Sequence, residues 1–119
     1  MSAVTTLKQN TEFHRVYGRG KSVGSPVLVT YALKSRHPVC RVGITASKKL
    51  GNAVARNRCR RVIRAAYMSL APECNGGWDI VFVARFRTRN QKMQSVAAVM
   101  ERQLIELGVI ESDSGEIPS

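Results

Sequence analysis

The 119-residue chain is short of acid, of cysteine and of aromatic residues. Eight Asp and Glu stand against 19 Lys and Arg, a formal net charge of +11. The shortage is sharper along the chain. Residues 1–100 carry three acids, Glu12, Glu73 and Asp79, against 18 basic residues, whereas residues 101–119 carry five acids and one arginine. A stand-alone protein nuclease needs a cluster of carboxylates or histidines. Neither these acids nor the isolated His14 and His37 supply one. Cys40, Cys59 and Cys74 have no CxxC spacing, so neither a disulfide framework nor a zinc site is expected. A phosphate-binding P-loop, a GxGxxG turn and a serine-nucleophile motif are missing as well. No apolar run approaches the roughly 18 residues that would suggest a membrane helix. Residues 1–8 lack the apolar centre of a secretory signal, so a reducing, cytoplasmic setting is expected.

An apolar fraction of 44% suits a folded chain, and the length suits one domain with one modest core. Like charges packed this densely repel one another, and a polyanionic partner is the natural remedy. Arginine outnumbers lysine, and its planar fork suits bidentate phosphate contact and stacking.

Periodicity sets out the elements. Residues 10–17 read as a short helix capped by Asn10 or Thr11, with Phe13, Val16 and Tyr17 on one face and Gly18 and Gly20 beyond. Residues 18–26 read as a loop by their Gly, Ser and Pro content. Two alternating strands follow, residues 27–33 and 39–47, and are expected to pair as a hairpin. Cys40, Val42, Ile44 and Ala46 share one face of the second.

Residues 52–71 form the clearest helix, with Asn52 as N-cap and Pro72 as stop. Ala55, Cys59, Val62, Ile63, Ala66 and Leu70 make its buried stripe, and Arg56, Asn57, Arg58, Arg60, Arg61 and Arg64 lie opposite. Residues 78–85 read as a strand apolar on both faces, hence central and covered. A last helix over residues 90–107 carries Met93, Val96, Met100, Leu104 and Leu107 as its stripe, with Gly108 after its end. The acidic residues 111–119 show no periodicity and read as a mobile tail behind a single domain over residues 1–110.

The segment from Ser47 to Arg64 holds seven cations and no acid. Lys48 and Lys49 introduce a helix N-terminus, which itself favours anions. Arg56, Arg60 and Arg64 repel one another at i, i+4, an arrangement suited to a face that meets phosphates.

This segment closely resembles the signature of the bacterial ribonuclease P protein component family. It reads Lys48-Lys49-Leu50-Gly51-Asn52-Ala53-Val54, then Arg56-Asn57-Arg58, then Arg60, Arg61 and Arg64. Phe13-His14-Arg15-Val16-Tyr17, Tyr31, Arg41 to Ser47 and Asp79 to Arg85 extend the likeness over nearly the whole chain. Cys59 departs from it, standing where the family more often has a larger aliphatic residue.

The resemblance implies an α+β fold: a single-domain α/β sandwich of about four strands and three helices with a left-handed β-α-β crossover, of the ribosomal protein S5 domain 2 type. It implies a protein subunit, monomeric outside the holoenzyme, that works with ribonuclease P RNA to remove the 5′ leader of precursor tRNA. Catalysis would belong to the RNA, with Mg2+ held mainly by RNA and substrate. Lys48, Lys49, Asn52, Arg56, Asn57, Arg58, Arg60, Arg61 and Arg64 would bind the catalytic RNA. Phe13, Tyr17 and Tyr31 would floor a cleft for the leader, although Phe13 equally suits core packing. Asn57 would orient Arg56 and Arg58, or bind RNA or a hydrated metal. Arg19 and Lys21 would be general phosphate contacts, and Arg85, Arg87 and Arg89 either the same or a solvated turn. The competing reading from composition is a non-enzymatic RNA-binding protein, such as a ribosomal protein.

Overall fold

Residues 80–84 are apolar at every position, and a strand of that kind needs cover on both faces and a neighbour on both sides. The computed structural model, which describes residues 5–111, provides both. In chain order its elements are α1 (Asn10–Arg19), β1 (Lys21–Gly24), β2 (Leu28–Lys34), β3 (Arg41–Thr45), α2 (Ala53–Leu70), β4 (Trp78–Ala84) and α3 (Met93–Leu107). Short 3-10 turns precede α2 at Lys48–Leu50 and follow β4 at Phe86–Asn90. The sheet order is β1-β2-β4-β3. β2 lies antiparallel to β1 and β4, and β3 lies parallel to β4. The result is an α+β fold of four mixed strands and three helices.

Three expectations are corrected here. β2 and β3 do not form a hairpin, because β4 inserts between them. Alternation tells a strand which face to bury but not which strand to pair with, and the doubly apolar β4 takes the centre. α2 then carries the chain from β3 to its parallel neighbour. The stretch read as a loop over residues 18–26 holds β1, an edge strand whose only half-buried side chain is Val23. α1 also begins differently. Gln9 is its N-cap, and the Glu12 carboxylate accepts the N–H groups of Lys8 and Gln9. The acidic tail lies, beyond Glu111, outside the described residues.

α2 and α3 cover one face of the sheet. Cys59, Ile63, Ala66 and Leu70 of α2 and Val96, Met100 and Leu104 of α3 pack on Leu28, Ala32, Val42, Ile80 and Phe82. Within this layer the buried Thr30 hydroxyl donates to Gln103 Oε1 at 2.6 Å, and Gln103 Nε2 donates to the Leu28 carbonyl at 2.8 Å. α1 covers the other face with a smaller cluster, Leu7, Val16 and Val81, flanked by Phe13, Tyr31, Leu33 and Val83. Gly20 lets α1 turn into β1, because a Cβ there would stand 2.6 Å from the Val16 carbonyl oxygen.

Beside that cluster Asp79 is wholly buried in an ion-pair network. Arg41 donates to it from Nε at 2.9 Å and Nη2 at 2.7 Å, and Arg15 Nη2 donates at 3.1 Å. Arg41 also donates to Glu12 at 2.9 Å. The two backbone N–H groups, aided by Arg41, hold the Glu12 carboxyl below its ordinary value of 4.5. A lowered folded-state pKa gives stability that is present above pH 4.5 and lost as pH falls through the lowered value. Thermal melts should therefore show the difference between the native protein and Glu12→Gln shrinking as pH falls below 4.5.

Candidate nucleic-acid interface

β3 is an edge strand, and the chain ahead of α1 closes only part of that edge. Leu7 N–H donates to the Val42 carbonyl and Val42 N–H to the Thr5 carbonyl. Beyond Val42 the edge faces a groove of about 500 Å³ between the two helical layers. Phe13, Gly43 and Ile44 line its floor, and Asn57, Arg60, Arg61 and Arg64 of α2 line one wall. Past Phe13, Ile44 and Arg60 the groove runs on for about 380 Å³ between His14 and Tyr17 of α1 and residues 44–47.

Gly43 sets the floor. A Cβ there would fall 2.5 Å from the Phe13 ring, so the ring can lie on β3 only over a glycine. Phe13 is thus both core and lining: it packs on Leu7 and Val16 while its ring borders the groove. Tyr17 is exposed, and its ring meets Tyr31 edge-on, centroids 4.9 Å apart at 77°. Tyr31 is half-buried on β2 and supports Tyr17 from behind rather than lining the groove itself.

The five arginines of α2 do not share one exposed face. At 100° per residue, Arg56 and Arg58 fall on opposite flanks of the helix, each within reach of the protein's own backbone. Arg56 Nε donates to the Ala46 carbonyl at 3.1 Å. Arg58 donates to the carbonyls of Arg89 at 2.9 Å and Gln91 at 3.2 Å. Arg60, Arg61 and Arg64 are the ones that face the groove. Asn57 orients Arg60, accepting from its Nη1 at 3.2 Å, and bonds neither Arg56 nor Arg58. Asn52 caps α2 by accepting Ala55 N–H at 3.0 Å, and Lys48 and Lys49 are exposed on the turn before it. Arg19 and Lys21 lie outside the groove, bordering a hollow with Lys34 and Trp78. Arg85 and Arg87 are exposed on the turn after β4.

The lining contains no carboxylate. Glu12 and Asp79, two of the three acids before residue 101, are spent on Arg15 and Arg41. Sequence reasoning missed those four residues, Ile44 and His14 as lining, and Tyr67, which is buried on α2 with its side chain at the base of the groove. An aromatic residue four positions after Ile63 was the available signal for Tyr67. Burial raises the thiols of Cys40 and Cys59, and pushes Cys74 up to about 12. None of them is a thiolate at neutral pH, which suits small side chains packed in or against the core. Among the described residues no three His, Cys, Asp or Glu side chains gather as a metal-ligand set, and no helix is long and apolar enough to cross a membrane.

An aromatic-floored groove with one cationic wall and no acid has the chemistry that suits a nucleic-acid strand. Comparison with known proteins gives the family. The family model of ribonuclease P matches residues 1–108. The chain belongs to the ribonuclease P protein family. Its role is that of the protein subunit in tRNA 5′ maturation, and the ribosomal-protein alternative is not favoured. The Clostridioides difficile ribonuclease P protein component is 41% identical over 91 residues, 76% of this chain and 80% of that protein. That of Alkaliphilus oremlandii is 31% identical over 112 residues, 94% of this chain and 98% of that one. The Staphylococcus aureus RNase P protein structure superposes with a TM-score of 0.80 at 30% identity, covering 92% of this chain and all of that one. The Thermotoga maritima protein shares the fold, with a TM-score of 0.75 at 23% identity, covering 90% of this chain and 98% of that one.

Proposed function

We propose that this family member binds ribonuclease P RNA through the cations of α2 and its N-terminal turn, and seats the 5′ leader of precursor tRNA in the groove. The observation that carries the reading is the pairing of Phe13 and Tyr17 with Arg60, Arg61 and Arg64 across a lining free of carboxylate. Aromatic faces stack any base, worth about 1–3 kcal/mol per base, which suits leaders of differing sequence. Arginines follow the backbone and leave sequence unread.

Cleavage itself falls to the RNA in this reading. Mg2+ would supply charge neutralisation and an activated water at the scissile phosphate. A wall of guanidinium groups offers a cation no ligands, so the metal is assigned to RNA and substrate rather than to this chain. The protein's part is to hold the leader extended and to offset phosphate repulsion, acting as a monomer in the cytoplasm until the holoenzyme forms.

Tyr17→Ala tests the leader assignment, since the ring is exposed and its loss leaves the core intact. Affinity of the assembled holoenzyme for precursor tRNA should fall about tenfold, the effect of one lost stack. Affinity for mature tRNA, which has no leader, should not change. An equal loss for both RNAs would remove the leader from the groove.

A further inference from the structure

The turn after β4 carries an aromatic residue that neither the core nor the groove uses. Phe86 is 59% exposed, the most exposed aromatic side chain among the described residues. The Arg89 guanidinium lies over its ring at 3.6 Å from the centroid, which covers one face and leaves the other to solvent. A single exposed apolar residue ordinarily needs no explanation. This one is held rigid from several sides. Thr88 is wholly buried; its hydroxyl donates to the Val27 carbonyl at 2.6 Å and accepts Arg85 N–H at 2.9 Å. Arg89 donates to the carbonyls of Phe86 and Leu50, both at 3.3 Å, and so ties the turn to the one bearing Lys48 and Lys49. Arg58 of α2 clasps the carbonyls of Arg89 and Gln91.

A fixed ring backed by a cation, with exposed Arg85 and Arg87 beside it and no acid on the turn, has the makings of a base-stacking site. It sits on the flank of α2 that Arg58 occupies, and none of Arg58, Phe86 and Arg89 lines the groove. We propose that Phe86 and Arg89 form a second stacking platform that receives one unpaired base of RNA, with Arg85 and Arg87 on the adjoining phosphates. The proposal rests on the RNA-binding reading above and adds a contact outside the groove. The base could come from ribonuclease P RNA or from the substrate, and the experiment separates the two.

The test uses the full-length protein with ribonuclease P RNA, precursor tRNA and mature tRNA. Phe86→Ala should lower affinity about tenfold, while the salt dependence keeps its slope because no phosphate contact is lost. Phe86→Trp should bind as the native protein does, and its added indole emission should be quenched by RNA above the Trp78 background. A loss seen in assembly with ribonuclease P RNA assigns the base to that RNA. A loss confined to tRNA binding by the assembled holoenzyme assigns it to the substrate. Phe86→Ala protein that binds both RNAs as tightly as native, with the Phe86→Trp emission unmoved, overturns the platform. In that case the variant lacking Arg60, Arg61 and Arg64 should still lose affinity, which would leave the RNA-binding reading standing. A native protein that bound neither RNA would overturn both.

Discussion

Replacing Arg60, Arg61 and Arg64 together by alanine should weaken binding to ribonuclease P RNA about a hundredfold at 0.15 M salt. The estimate follows from counterion release. Each phosphate contact contributes roughly 0.7–0.9 to the slope of log affinity against log salt, or about fivefold in affinity at that concentration. Three lost contacts should therefore also flatten the slope by about 2–3. The same substitution should not unfold the protein. None of the three has a carboxylate partner among the described residues. Arg60 and Arg64 repel each other at i, i+4, and alanine is the better helix former. The melting temperature should hold or rise slightly while RNA affinity falls. Binding measured as a function of salt, beside a thermal melt, checks both. A lower affinity at an unchanged slope would mean that these arginines shape the site without touching phosphate.

The opposite pattern is expected at Asp79. Asp79→Asn keeps the shape but leaves Arg41, whose side chain is only 13% exposed, without its closest counter-charge. Breaking a buried pair by removing one partner costs about 3–5 kcal/mol. Glu12 stays within 2.9 Å of Arg41, so the lower end applies. About 3 kcal/mol corresponds to a drop in melting temperature of roughly 10 °C for a chain of this size. Arg15→Ala should cost far less, under about 1 kcal/mol, because the Arg15 side chain is 47% exposed and Asp79 keeps both bonds from Arg41. RNA affinity of the folded fraction should be unchanged by Asp79→Asn, since the residue lies beneath the sheet surface and not in the groove. Near-equal melting temperatures for Asp79→Asn and Arg15→Ala would show that the buried pair does not hold β3 to β4.

The two variants separate what the sequence displays from what it hides. α2 is legible because its apolar and cationic positions segregate at 100° per residue, and Asn52 and Pro72 mark its ends. β4 is legible as the centre because residues 80–84 within it are apolar at every position. β1 is not, because Lys-Ser-Val-Gly offers one apolar residue and no alternation. The hairpin expectation failed for a related reason: β2 and β3 each alternate correctly, and only the competition for β4 decides their partners. In the site, charge density drew attention to α2, and of the three aromatics that the family likeness named, Phe13 and Tyr17 border the groove while Tyr31 stands behind Tyr17. What stayed hidden was where each guanidinium is spent. Arg56 and Arg58 sit on the flanks of α2, so they meet carbonyls from residues 46, 89 and 91 that no local pattern brings near. The Asp79 network joins residues up to 67 positions apart, and Phe13 lies over Gly43 only once α1 has docked. Such pairings belong to the tertiary fold.

The central claim is that this protein serves ribonuclease P RNA in maturing tRNA. Its most direct test is cleavage of a leader-bearing precursor tRNA by bacterial ribonuclease P RNA at low magnesium, with and without the protein. The account predicts cleavage at the mature 5′ end only when the protein is present, and its loss with the Arg60, Arg61 and Arg64 triple variant. Equal cleavage with and without a folded, RNA-binding protein would contradict it.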